Sequence, residues 1–211
     1  MSELPETVRC HQIVDYFYCA ERSRLSILHG LEPPLNEDIE LGSKVHDWLT
    51  QRPKSQKELK MLEALKPFES FVRAFEGVKI IGHPDDLTVL SKNRVQVIEY
   101  KTVDNTSIKP WKTVLAKFQA QIYAWILEPI LAQVGYQIAH THKVIYLSRT
   151  GVFAKKLGVE HDPLCVEHKI RGILEFWKTG EPLIPPKAWK CRLCPEIFRQ
   201  KCRVWNWGSG T

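Results

Sequence analysis

Three residues in one short stretch have the types and spacing for work on a phosphodiester: Asp85, Glu99 and Lys101. Val95 to Val103 is rich in β-branched residues, and alternation along a strand puts Glu99 and Lys101 on one face and Ile98 and Tyr100 on the other. Ile80-Ile81, continuing through Leu87-Thr88-Val89-Leu90, reads as the partner strand, with Ser91-Lys92-Asn93-Arg94 as the polar turn of a hairpin. Asp85 then lies beside the Glu99 face. Two converging carboxylates can hold a hard cation such as Mg²⁺ or Mn²⁺, and an adjacent lysine can orient water or offset charge growing on a phosphate. Alone, the pattern also describes solvated charges on an exposed strand.

The second chemical signal is thiol. Cys191-Arg192-Leu193-Cys194, with Cys202 eight residues on, reads as a set of thiolate ligands for zinc or an iron–sulfur cluster. Such a centre needs four ligands, and Cys19 near the other end of the chain is the candidate fourth, so a cluster would clasp both ends. Cys10 and Cys165 read as packing residues.

Other elements must position these groups. Val8 to Leu28 shows helical spacing at Ile13, Phe17, Leu25 and Leu28, predicting one or two helices that end at Gly30. Leu31 to Glu37 reads as a loop. Ile39 to Thr50 resumes a helix with Gly42 and His46 one turn apart. Gln51 to Lys60 is polar and reads as a mobile segment, and Met61 to Phe75 as an amphipathic stretch that leads into the hairpin and covers the sheet. Trp111 to Leu127 predicts a long helix with Gln119 and Tyr123 on one face, kinked or restarted at Pro129. Lys143–Leu147 and Gly151–Leu157 predict a second hairpin, and Asp162-Pro163 opens a helix to Thr179. Strands and helices alternate, which predicts an α/β fold with a mixed sheet.

The chain has 211 residues, enough for one domain with a substantial core. Its net charge of +6 favours an anionic partner, nucleic acid above all. No apolar run is long enough to span a membrane, and the N-terminus lacks the pattern of a secretion signal, so the expectation is a cytoplasmic protein whose cysteines ligate metal or are buried.

Taken in order, Gly42-x-x-x-His46, Gly82-x-x-Asp85, Glu99-x-Lys101, Gln119-x-x-x-Tyr123 and cysteines at both ends form a set that resembles the RecB-like nucleases of the PD-(D/E)xK superfamily. It is most similar to the CRISPR-associated (Cas-four) exonucleases, from Tyr18 to Cys202. The resemblance implies a restriction-endonuclease-like mixed central sheet flanked by helices. It implies a single nuclease domain over 1–211, with an iron–sulfur subdomain from about 8–30 and 185–207. His46, Asp85, Glu99 and the Tyr100 carbonyl would hold Mn²⁺ or Mg²⁺. Lys101 would position water or stabilise the transition state, and Gln119 and Tyr123 would position DNA and the reacting groups. Cys19, Cys191, Cys194 and Cys202 would hold a [4Fe–4S] cluster of mainly structural role.

The implied activity is exonucleolytic cutting of single-stranded DNA ends, with endonucleolytic cutting as a variant. Its setting would be the trimming of DNA before integration into a CRISPR array, with the integrase complex as a partner. The rival readings are a stand-alone iron–sulfur exonuclease of DNA repair and a non-catalytic DNA-binding assembly module. Two departures stand out. The Cys194–Cys202 gap is longer than is common in the family, and Asp86 follows Asp85 directly, so a one-residue slip in register would exchange their roles.

Overall fold

The computed structural model describes residues 3–32, 51–68, 70–103, 108–148, 150, 152–182 and 188–208. The predicted helix over 39–50, with Gly42 and His46, lies outside them. The chain divides into two compact units, Met1–Pro34 with Ala74–Ile80 and Glu167–Thr211, and Leu35–Arg73 with Ile81–Val166.

The second unit is built on a mixed sheet. Strand β4 (Asp86–Val89) runs antiparallel to β5 (Arg94–Val103), with Asp86 opposite Ile98 and Val89 opposite Val95. On its other side β5 pairs in parallel with β7 (Thr141–Ser148), with Glu99 opposite Val144 and Lys101 opposite Tyr146. Short β6 (Gln137–Ile138) adds to the start of β5, and β8 (Phe153–Glu160) closes the other edge against β7. The strand order is β4-β5-β7-β8.

Helix α4 (Pro110–Gln133) packs on this sheet. Its Ala116 and Ala120 meet Val103, Val144, Tyr146 and Val159, so the sheet face that carries Glu99 and Lys101 is also the face that α4 covers. The opposite face carries Ile98, Tyr100 and Leu147. Pro129 neither kinks α4 to a stop nor restarts it; the helix continues four residues past it. Proline cannot donate to the carbonyl four residues back, which belongs to Trp125. Arg73 donates Nη1 to that oxygen at 2.7 Å, and its guanidinium stacks 4.1 Å from the Trp125 ring centre, so the freed acceptor has a partner.

Three sequence expectations fail between residues 51 and 90. The segment 51–60, read as mobile, carries the first half of a helix: α3 (Gln56–Leu65) starts within it, capped by Ser55, whose hydroxyl accepts from the Glu58 amide while Glu58 accepts from the Ser55 amide. Nor does the stretch 61–75 lead directly into the hairpin, because it ends in β2 (Val72–Phe75). The run from Ile80 to Leu90 is likewise two strands. Ile80 and Ile81 close β3 (Val78–Ile81), which belongs to a separate sheet ordered β1-β3-β2, with β1 at Thr7–Arg9. Gly82 to Pro84 breaks the pairing, as a residue without an amide hydrogen requires.

In the first unit, α1 (Cys10–Tyr18) and α2 (Ala20–His29) flank Cys19, whose backbone is extended at φ −157° and ψ 109°. Cys19 therefore sits in a break between helices and not inside one. Gly30 ends α2 in the left-handed conformation that glycine adopts without strain. Helix α5 (Pro163–Thr179) contributes Trp177, whose indole donates to Ser23 at 3.0 Å, while Ser23 donates to the Gln12 carbonyl. Three short helices follow: α6 (Ala188–Arg192), α7 (Glu196–Arg199) and α8 (Arg203–Gly208).

Candidate active site

Glu99 is fully buried in the middle of β5, with its Oε1 2.6 Å from Lys101 Nζ. Lys101 Nζ also donates to Gln119 Oε1 at 2.9 Å, and Gln119 Nε2 donates to the Tyr123 hydroxyl at 2.8 Å. The strand spacing of two and the helix spacing of four thus give a continuous polar chain, Glu99–Lys101–Gln119–Tyr123, inside an apolar interface. The Tyr123 ring lies over Gly82, where a Cβ would stand 2.7 Å from Cδ1. Only a residue without a side chain lets the segment leading to Asp85 pass so close to α4.

Asp85 and Asp86 have different surroundings. The Tyr100 amide donates to Asp85 Oδ2 at 2.7 Å, which ties Asp85 to β5 next to Glu99. Asp86 opposes Ile98 and so points to the other face, where its carboxylate meets Arg52 Nε at 2.5 Å and the Lys54 ammonium. The Tyr100 hydroxyl reaches it at 3.4 Å. Arg52 also pairs with Glu58 at 2.9 Å, and Thr88 donates to Glu58 at 2.6 Å. That pairing, chiefly the hydrogen bond from Arg52, holds the Glu58 carboxyl far below its usual range. Burial, reinforced by Asp86, pushes the Tyr100 phenol up to about 12. The register therefore fixes Asp86 in an ion-pair network, while Asp85 is held by the Tyr100 amide.

The donor chemistry of Asp85 and Glu99, two carboxylates flanking the Tyr100 main chain beside a lysine, fits a hard divalent cation. Among the described residues no three ligating side chains close around one point. His46 lies outside them.

In the first unit, Cys19, Cys191, Cys194 and Cys202 line a single pocket with Tyr18, Arg22, Lys190, Phe198, Arg199 and Trp205. The sulfurs share this pocket without forming a closed ligand set. Burial, with smaller contributions from the other thiols, pushes Cys19 up to about 11, and burial also raises Cys194 and Cys202. Arg22 lies 5.5 Å from the Tyr18 ring centre and 5.2 Å from that of Phe198, and it offsets part of the rise at Cys194. Four thiols beside cations suit a group that takes four thiolates. Cys10 is buried in α1, Cys165 lies in the first turn of α5, and neither lines this pocket.

Sequence reasoning missed the Arg52–Asp86–Glu58 network, and only the Ser55-x-x-Glu58 capping pattern marked its neighbourhood.

The family model of the PD-(D/E)XK nuclease superfamily matches residues 54–203, more than half of the chain. The protein belongs to the PD-(D/E)XK nuclease superfamily. The matched span contains Pro84-Asp85 and Glu99-Tyr100-Lys101, which have the form that the family name spells out. The matched span includes neither Cys19 nor His46. A solved structure titled "Crystal structure of SSO0001" is similar at a TM-score of 0.55 and 19% identity, covering 97% of this chain and 89% of that one. At that identity the likeness concerns the fold. No curated protein matches the sequence. Among the described residues no helix is long and apolar enough to cross a membrane.

Proposed function

We propose that this protein is a metal-dependent deoxyribonuclease whose reacting groups are Asp85, Glu99 and Lys101. The observation that carries the reading is the placement of Lys101, held between buried Glu99 and Gln119, with Asp85 tied to the amide of the intervening Tyr100. Asp85, Glu99, the Tyr100 carbonyl and His46 would hold Mg²⁺ or Mn²⁺, which supplies Lewis-acid charge at the scissile phosphate. Lys101 donates hydrogen bonds to the attacking water or to a phosphate oxygen as negative charge grows there. Gln119 limits the rotamers of Lys101, and Tyr123 limits those of Gln119. The α4 cover excludes water from the buried end of this chain of contacts, which strengthens each of them.

The reading extends to exonucleolytic trimming of single-stranded DNA, in the setting of CRISPR integration, with support from the ordered motifs and terminal cysteines. It also assigns a [4Fe–4S] cluster to Cys19, Cys191, Cys194 and Cys202, supported by their shared pocket. The test is anaerobic purification, iron and zinc analysis, and cleavage assays on end-labelled single- and double-stranded DNA with Mn²⁺, Mg²⁺ or chelator. Metal-dependent release of nucleotides that is lost in Glu99→Gln supports the reading. Equal activity of that variant, with contaminating nuclease excluded, removes it.

A further inference from the structure

We infer that two direct stitches between the ends of the chain, Glu21 to Arg203 and Tyr18 to Lys190, are what hold Cys19 in one pocket with the C-terminal cysteines. The inference uses the proposed cluster only for what the pocket would hold, not for how the pocket is assembled.

The stitches bracket the thiols. Arg203 follows Cys202 directly, and Glu21 lies two residues after Cys19. Arg203 Nε meets Glu21 Oε1 at 2.8 Å and Nη2 meets Oε2 at 2.9 Å, a two-point fork that fixes orientation as well as distance. Nη2 donates further to the Gly180 carbonyl at 2.8 Å. On the other side, Lys190 precedes Cys191 and Tyr18 precedes Cys19. Lys190 Nζ donates to the Tyr18 carbonyl at 2.5 Å and stands 4.7 Å from the Tyr18 ring centre. Each stitch therefore ties a neighbour of Cys19 to a neighbour of a C-terminal cysteine.

Burial gives the fork its strength. Glu21 is fully buried, and a carboxylate in that position is costly unless its charge is met. Arg203 meets it through the two-point fork, with Arg24 Nη1 3.7 Å from Glu21 Oε1 as a second, longer contact. The Glu21–Arg203 pair is thus a positioning pair for the pocket through its geometry. The pair between Arg171 and Glu76 in the same unit, at 2.8 Å but exposed on both sides, lacks this burial and serves as the control.

The experiment is thiol cross-linking of the full chain after chelator stripping under reducing conditions, using dibromobimane and peptide mapping. The wild type should link Cys19 to Cys191, Cys194 or Cys202. Arg203→Lys, which cannot form the fork, should lower that yield at least about tenfold, and Arg171→Gln should leave it unchanged. Should Arg203→Lys fail to fold by circular dichroism, Glu21→Gln, which keeps size and one acceptor, is the second variant, and its yield should fall by several fold. Wild-type yield in either folded variant overturns the inference, as does a wild type that never links Cys19 to the C-terminal thiols. If the links form and depend on Arg203 while the protein takes up neither iron nor zinc, the stitches stand and the cluster assignment fails.

Discussion

Lys101 Nζ and Gln119 Oε1 stand 2.9 Å apart, one on the central strand and the other on the helix that covers it. The contact makes the orientation of the lysine a property of the packing of α4. Replacing Lys101 by Met should reduce cleavage by about two to three orders of magnitude, the usual effect of losing a donor at developing charge. Gln119→Leu should have a smaller effect, about tenfold, because it loosens Lys101 without removing it. Single-turnover cleavage at saturating metal measures both, and a Gln119→Leu protein as impaired as Lys101→Met would place Gln119 in direct contact with substrate.

The adjacent aspartates should separate cleanly. Asp86→Asn weakens the pairs with Arg52 and Lys54, so it should cost about 2–3 kcal/mol of stability, discounted for the partial exposure of both cations. Asp85→Asn should abolish cleavage at little cost in stability. Urea denaturation and titration with Mn²⁺ distinguish the two, and loss of metal affinity in Asp86→Asn alone would exchange their roles.

Much of this site was legible in the sequence, and the reasons are local. The β4–β5 hairpin follows from two β-branched runs around a short polar turn, and the pairing of Gln119 with Tyr123 follows from helical periodicity. Features set by distant partners were not legible. The placement of Ile80 and Ile81 in the β1-β3-β2 sheet is a choice between sheets that strand propensity does not make. The passage of α4 through Pro129 depends on Arg73, over fifty residues earlier, capping the Trp125 carbonyl. The assignment of Asp86 to an ion-pair network required Arg52 and Lys54, which sat in a stretch read as mobile.

Gly82 offers a test of how closely Asp85 depends on α4. In Gly82→Ala the new Cβ would meet Tyr123 at 2.7 and 2.8 Å and Ile126 at 2.9 Å, so the helix or the segment must move. The expected cost is about 1–3 kcal/mol, typical of overpacking. Cleavage should fall further than unfolding accounts for, because Tyr123 anchors Gln119. Gly82→Ala combined with Tyr123→Leu should recover stability and not cleavage, measured by thermal melts and initial rates below the melting range.

The last prediction concerns acid sensitivity in the second unit. His142 is fully buried at the start of β7, and its Nδ1 accepts the Val97 amide at 3.4 Å, which leaves the proton of the neutral ring on Nε2. That Nε2 has no hydrogen-bond partner among the described residues. The His161 ring lies edge-on with centroids 5.3 Å apart, and its Nε2 is 3.3 Å from Glu128. Burial first, then the neighbouring His161 and His140, pushes His142 down to about 3. In the unfolded chain it titrates near its ordinary value, about 6.5. Between these values the unfolded state binds a proton that the folded state does not, so this group destabilises the fold progressively as pH falls through that window and has no effect above it. The slope approaches about 1.4 kcal/mol per pH unit below the unfolded value. His142→Gln can still accept from Val97 but cannot gain charge. Urea unfolding at about pH 7 and pH 5 should show the wild type losing roughly 2 kcal/mol more than His142→Gln over that interval. Equal losses would mean that the acid sensitivity resides in other groups and that His142 is protonated in the folded protein as readily as in the unfolded chain.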